Sequence, residues 1–235
     1  MRLVRRAPVG TLARMRTAAV LPVKSFGRAK QRLDAAIGQP DRAELAAAML
    51  GDVLAALHSV REQADLIVVT AEQRAAEAAR SAEALVVDDP DEAGQSAAAA
   101  RGVRAAIARG AHRVLLVPGD CPTLDPGEIG GLLDGFPGAG LVIVPDRHGS
   151  GTNALLIAPP NAIEPSFGPG SFARHAALGA AAGMAVRVAR APSLELDVDT
   201  HDDLTALRTT LAAKPTSAPR TRALLELLAP SSAVA

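Results

Sequence analysis

Aspartates at three points in the chain could act together on a cation. Asp120 follows four apolar β-formers, Val114, Leu115, Leu116 and Val117, and then the pair Pro118 and Gly119. Proline donates no ladder hydrogen bond, so a strand should end there, and glycine permits the close approach of a ligand. A carboxylate at the carboxyl end of a buried strand lies where open α/β sheets bind their ligands. It could hold a divalent metal, or it could cap a turn or the next helix. Asp197 and Asp199 stand two apart in L-D-V-D-T at residues 196–200, so an extended backbone aims both carboxylates the same way. Two like charges held together are costly unless a cation lies between them. Asp120, Asp197 and Asp199 together would suit magnesium, which takes few protein oxygens and keeps waters and phosphates. The competing role for Asp199 or Thr200 is to N-cap the helix that follows.

Two further stretches could bind anions. Residues 24–30, K-S-F-G-R-A-K, form a glycine-containing loop with Lys24 and Lys30 at its ends. Such a loop can cradle a triphosphate through backbone N–H groups and ammonium charge, although a solvated basic loop has the same composition. The Walker spacing is absent, so this is not a P-loop. The second stretch pairs G-S-G-T-N at residues 149–153 with F-G-P-G-S-F-A-R-H at residues 167–175. Their hydroxyls and N–H groups suit phosphate or carboxylate, with Ser171 at a helix N-terminus. The G-x-G-x-x-A match at 168–173 has no strand before it and is rejected as a dinucleotide fingerprint. His175 lies one turn beyond Ser171 and could face the pocket or the surface; Arg147 and His148 carry the same ambiguity. Cys121, the single cysteine, reads as a small apolar space-filler rather than a nucleophile.

The elements that must position these residues alternate. Strands are predicted at 18–23, 66–70, 85–87, 114–117, 141–144, 154–157 and 186–189. Helices are predicted at 41–60 with Asp41 as N-cap, 72–81, 95–109 with Val103 and Ile107 inward, 126–133, 171–183 and 200–211. A last helical turn or two is expected within 221–228. Alternation of strand and helix in the first half predicts a mainly parallel, three-layered α/β fold. The closer strands after residue 137 predict a mixed sheet with an antiparallel member. Residues 1–16 read as a disordered extension, with Met15 as a possible true start. Residues 17–213 read as the catalytic domain and residues 214–235 as a linker and tail.

The composition narrows the function. In 235 residues, 25 Lys plus Arg balance 25 Asp plus Glu, and there is no Trp or Tyr. A chain without net charge or stacking aromatics is a poor candidate for nucleic acid. No apolar run is long enough for a membrane span. The lone cysteine fits a reducing cytosol, and a cytoplasmic location is expected.

Taken in order, A-V-L-P-V-K, A-K-x-R-L, V-P-G-D-C-P, S-G-T-N-A-L, F-G-P-G-S-F-x-x-H and L-D-V-D-T-x-x-D-L resemble the guanylyltransferases of deazaflavin coenzyme F-420 biosynthesis. The resemblance spans about residues 17–211. It implies a Rossmann-like nucleotidyltransferase fold, GTP and magnesium as requirements, and a small phosphorylated carboxylic acid as acceptor. That acid is phosphoenolpyruvate in bacteria and 2-phospho-L-lactate in archaea. It also implies that Asp120, Asp197 and Asp199 hold the metal. Thr152, Gly168 and Ser171 would hold the acceptor, and Lys24 and Lys30 would serve the nucleotide. One departure stands out. Where such folds often read G-L-N-A-A, this chain has G-Q-S-A-A at 94–98. Two other readings stay open on the residues alone: a metal-dependent glycosyltransferase using the D-x-D at 197–199, and a non-catalytic nucleotide sensor.

Overall fold

The computed structural model describes residues 15–228, apart from residues 29, 34–36 and 137. Of the extension expected at residues 1–16, residues 1–14 lie outside the described residues, as does the end of the tail; Arg16 is instead tied to the fold, pairing with Asp65 at 2.9 Å.

A seven-stranded mixed sheet runs in the order β3-β2-β1-β4-β6-β5-β7. Its strands are β1 Thr17–Val23, β2 Ala64–Thr70, β3 Leu85–Asp88, β4 Arg113–Leu116, β5 Gly140–Pro145, β6 Thr152–Ala158 and β7 Val186–Val188. β1, β2, β3 and β4 pair in parallel, β5 pairs in parallel with β7, and β6 is antiparallel to both neighbours. The predicted antiparallel member is therefore β6. Reversal of this strand brings its first residues, Thr152 and Asn153, to the edge where β4 ends.

Helices cover both faces. They are α1 Gln39–His58, α2 Gln73–Ser81, α3 Gln95–Ala108, α4 Pro126–Asp134, α5 Ser171–Ala181, α6 His201–Ala213 and α7 Pro219–Leu227. Alternate strand residues face opposite layers. Ala19, Leu21, Val68, Leu115 and Val117 pack with Leu50, Val53 and Leu57 of α1 and Ile129 and Leu133 of α4. Val20, Ile67, Val69, Leu116 and Leu155 pack with Ala98, Ala99, Val103 and Ala106 of α3, with Phe172 and Ala176 of α5 against the same cluster. A third cluster lies outside the sheet, where Leu45 and Met49 of α1 meet Leu204, Leu207 and Leu211 of α6 and Leu225 of α7. Among the described residues no helix is long and apolar enough to cross a membrane.

Two local expectations need correction. Asp41 does not cap α1; the helix starts at Gln39, with Gly38 as N-cap, no side-chain cap bond and a proline in its first turn. That proline has no N–H to leave unsatisfied, so an earlier start is favourable. Ile107 is 42 % exposed rather than inward. The face of α3 toward the sheet is set by Ala99, Gly102, Val103 and Ala106, all buried. A Cβ on Gly102 would lie 2.3 Å from Val20 Cγ1. The helix lies too close to the sheet for a larger residue to face it.

Candidate active site

The sheet edge at the end of β4 gathers the acidic residues. Pro118 and Gly119 end the strand, and the Asp120 carbonyl accepts the Val198 amide at 3.2 Å. That bond fastens the 196–200 segment directly to the residue after the central strand. Buried Val198 anchors the segment between its two aspartates.

Lys30 joins them. Its Nζ donates to Asp120 Oδ2 at 2.5 Å and to Asp199 Oδ1 at 2.8 Å, with the side chain only 7 % exposed. A left-handed backbone at Lys30, φ 58°, turns the chain inward here. Burial alone would lower the lysine pKa, but the two carboxylates outweigh it and hold the ammonium above the ordinary lysine range. Asp199 is pushed below the usual carboxylate range: burial opposes the shift, and Lys30, with Arg32 and Lys24, prevails. Asp197 behaves oppositely. Burial, reinforced by Asp120 and Asp199, raises its pKa to about 6, against the hydrogen bond from Asn153. Asn153 Nδ2 donates to Asp197 Oδ1 at 3.1 Å and to the Leu194 carbonyl at 2.7 Å.

The donor set fits a divalent cation in two respects. Asp120 Oδ1 is buried without a hydrogen-bond partner. Asp197, raised in pKa, stands among like charges, a situation that a cation would relieve. Among the described residues, no three acidic, histidine or cysteine side chains are gathered as a ready-made cage. The Lys30 ammonium is the positive charge between Asp120 and Asp199.

The predicted nucleotide loop is held from two sides by carboxylates absent from the sequence reading. Glu92 Oε1 accepts from the Ser25 amide at 3.0 Å and its hydroxyl at 2.6 Å, while Glu72 Oε2 accepts from the Phe26 amide at 3.0 Å. Lys24 is exposed at the loop's start, and Arg32, also exposed, follows Lys30. Both reach Asp199 electrostatically.

The predicted acceptor residues also converge. Thr152 opens β6 and Ser171 opens α5, and both are buried. Gly168 and Gly170 have φ of 102° and 71°, so the turn into α5 requires residues without a Cβ. Arg174 gathers the carbonyls of Ser166, Phe167, Gly168 and Pro169. The Phe167 amide donates to Ser96 Oγ at 2.9 Å. Ser96, the residue at which the chain departs from the expected G-L-N-A-A, here ties the start of α3 to the 166–171 turn. His175 is fully buried beneath that turn rather than on the surface.

Asp203 secures the acidic segment. It accepts from the Asp199 amide at 3.1 Å, the Thr200 amide at 2.8 Å and the Thr200 hydroxyl at 2.7 Å. Thr200 answers by accepting the Asp203 amide, a capping box at the start of α6. Thr200 is thus the N-cap, which leaves the Asp199 carboxylate free to meet Lys30. Arg147 pairs with Asp203 at 2.7 Å, so the β5–β6 loop locks onto the same point. Cys121 is buried with Sγ 3.4 Å from the Leu194 carbonyl, and burial, then Asp120 and Asp197, push its thiol well up. It fills space, as predicted.

Residues 17–213 match the family model described as guanylyl transferase, CofC like. A phosphoenolpyruvate guanylyltransferase from Conexibacter woesei is 48 % identical over 217 residues, covering 91 % of this chain and 97 % of the relative. One from Sphaerobacter thermophilus is 38 % identical over 193 residues, covering 82 % and 93 %. Among solved structures, a nucleotidyl transferase from Methanothermobacter superposes with a TM-score of 0.61 at 20 % identity, covering 84 % of this chain and 98 % of that one.

Proposed function

Because the chain belongs to the family of CofC-like guanylyl transferases, we propose that it transfers GMP from GTP to the phosphate of phosphoenolpyruvate and releases pyrophosphate. The reaction would serve coenzyme F-420 biosynthesis, in the cytoplasm. The relatives that match most of the chain are named for this acceptor. The observation that carries the reading is the joining of Asp120 and Asp199 by Lys30 at the end of β4, with Asn153, next to Thr152 on β6, reaching Asp197.

Residues Asp120, Asp197 and Asp199 would hold magnesium, whose charge would stabilise the phosphate oxygens of nucleotide and acceptor. The remaining work falls to the chain itself. Lys24 and Arg32, exposed beside Asp199, would neutralise the triphosphate and its departing pyrophosphate. Lys30, paired with Asp120 and Asp199, would be placed to meet phosphate oxygens of the nucleotide. Thr152, Gly168 and Ser171 would orient the acceptor so that its phosphate oxygen lies in line with the α-phosphorus. A phosphate monoester has a second pKa of about 6 and is already mostly ionised at neutral pH, so no general base is needed. Positioning and charge neutralisation supply the catalysis.

Incubation with GTP, magnesium and either phosphoenolpyruvate or 2-phospho-L-lactate, followed by mass spectrometry, tests the reading. The expected product is the guanosine diphosphate conjugate of enolpyruvate with one pyrophosphate released per turnover. Conversion of 2-phospho-L-lactate alone would transfer the assignment to that acceptor, and no conjugate with either acid would remove it.

A further inference from the structure

His175 carries no role in the reaction as drawn, yet it is fully buried and both ring nitrogens are engaged. The Ser166 amide lies 2.9 Å from Nε2, and Thr152 Oγ1 lies 3.0 Å from Nδ1. A backbone N–H can only donate, so Nε2 must present its lone pair and the ring proton sits on Nδ1. Nδ1–H then donates to Thr152 Oγ1. One of that oxygen's two lone pairs is then taken by the ring, and the threonine's own proton is directed elsewhere. The Phe167 ring packs edge-on against the imidazole, centroids 5.2 Å apart at 73°. Burial, with a smaller effect from Arg174, lowers the His175 pKa to about 4, so the ring is neutral under any ordinary assay condition.

We propose that His175 is the positioning residue of the acceptor pocket: through Nδ1 it fixes the Thr152 hydroxyl as a donor toward the anionic oxygens of the acceptor, and through Nε2 it holds the turn at Ser166. The proposal rests on the reading of Thr152 as an acceptor ligand. It goes beyond it by making the threonine's donor role a property imposed from α5. A threonine hydroxyl left to itself rotates and serves donors and acceptors alike. One that accepts from the ring points its proton away from the imidazole and offers it to an acceptor group, which is what a phosphorylated carboxylate presents.

Asparagine and glutamine separate the two ring nitrogens. The amide nitrogen of asparagine falls near Nδ1 and keeps a donor to Thr152, whereas the amide of glutamine falls near Nε2 and keeps only the Ser166 end. Steady-state kinetics with varied GTP and varied phosphoenolpyruvate would be measured for His175→Gln, His175→Asn, Thr152→Val and the double variant Thr152→Val/His175→Gln. His175→Gln is expected to raise the acceptor KM about tenfold, the effect of one lost hydrogen bond, with the GTP KM moving less than twofold. His175→Asn should recover most of that loss. In the Thr152→Val background His175→Gln should cost nothing further, because the group it acts through is gone. An unchanged acceptor KM in His175→Gln, or equal losses in both single His175 variants, overturns the proposal while leaving the acceptor reading intact. An unchanged acceptor KM in Thr152→Val would instead remove the acceptor reading, and the proposal with it. If His175→Gln does not accumulate as folded protein, His175→Asn decides alone, and a tenfold rise in its acceptor KM counts against the assignment.

Discussion

Burial and the neighbouring carboxylates of Asp120 and Asp199 raise the pKa of Asp197 to about 6. A carboxyl whose pKa is higher in the folded chain than in the unfolded one is destabilising wherever it is ionised. Between about pH 4, the unfolded value, and pH 6 the folded chain holds a proton that the unfolded chain has released, so stability falls as pH rises through that window. Above it the full penalty, on the order of 3 kcal/mol, remains. Asp197→Asn removes the charge and keeps the shape, and its oxygen can still accept from Asn153. The variant should therefore melt at a higher temperature than the parent at pH 7.5, with the gap narrowing toward pH 5, while turnover falls at least a hundredfold. Equal melting temperatures at pH 7.5 would show that the buried charge is not costly, and retained turnover would remove Asp197 from the proposed metal site. The aspartates were legible because their spacing is a chemical signal in itself. His175 was not, since a single histidine carries no mark of whether it is buried. Glu72 and Glu92 were equally silent, because each reaches the 24–30 loop across more than forty residues of sequence.

At the level of elements, the pattern of apolar runs placed the strands and helices within a few residues of where they lie. What it misjudged was α3. The sequence shows Val103 and Ile107 four apart, and a reading that looks for large apolar residues turns both inward. The helix instead approaches β1 and β2 through alanines and Gly102, because closeness to the sheet is what buries most backbone there. Gly102→Ala tests this directly. Its new methyl would meet Val20 Cγ1 at 2.3 Å and Val69 Cγ2 at 2.9 Å, both on the sheet's buried face. Overpacking of this kind costs about 1–3 kcal/mol, outweighing alanine's better helix propensity of about 1 kcal/mol. Gly102→Ala should lower the denaturation midpoint in urea without altering the GTP KM at a temperature where it is folded; a stabilised variant would mean that α3 is free to shift outward. The α6 capping box was, by contrast, present in the sequence as T-H-D-D at 200–203, an aspartate three residues after a threonine. Its connection to Arg147 was not, because the partner lies on another loop and only folding brings it near.

For the molecule as a whole, the family match ends at residue 213, and the composition of residues 214–220 reads as a linker. The chain nevertheless continues into α7, which docks on α1. Buried Asp52 of α1 accepts the first amides of α7, Arg220 at 3.1 Å and Thr221 at 2.8 Å, as a carboxylate should at a helix N-terminus. Leu225 and Ala218 then close the third cluster over Leu45, Met49, Leu204, Leu207 and Leu211. Leu33 and Ile37 belong to the same cluster. They follow Lys30 in the chain, and α6 follows Asp199, so the helix beyond the matched region braces both ends of the Lys30–Asp199 pair. A chain stopped after Ala213 would expose this cluster and strip Asp52 of the amides it accepts. Loss of a leucine's burial is worth about 2 kcal/mol, and the lost hydrogen bonds to the Asp52 carboxylate about 1.5–3 kcal/mol more. The truncated chain should melt roughly 5–15 °C below the full chain, by the usual relation for a domain of this size. Because Leu33 loosens with it, the GTP KM should rise at temperatures where the truncated chain is still folded. Asp52→Asn in the full chain should reproduce a smaller part of the melting change with little kinetic effect, since the helix stays in place. A truncated chain that melts with the full one would reduce α7 to an ornament on a domain already complete at residue 213.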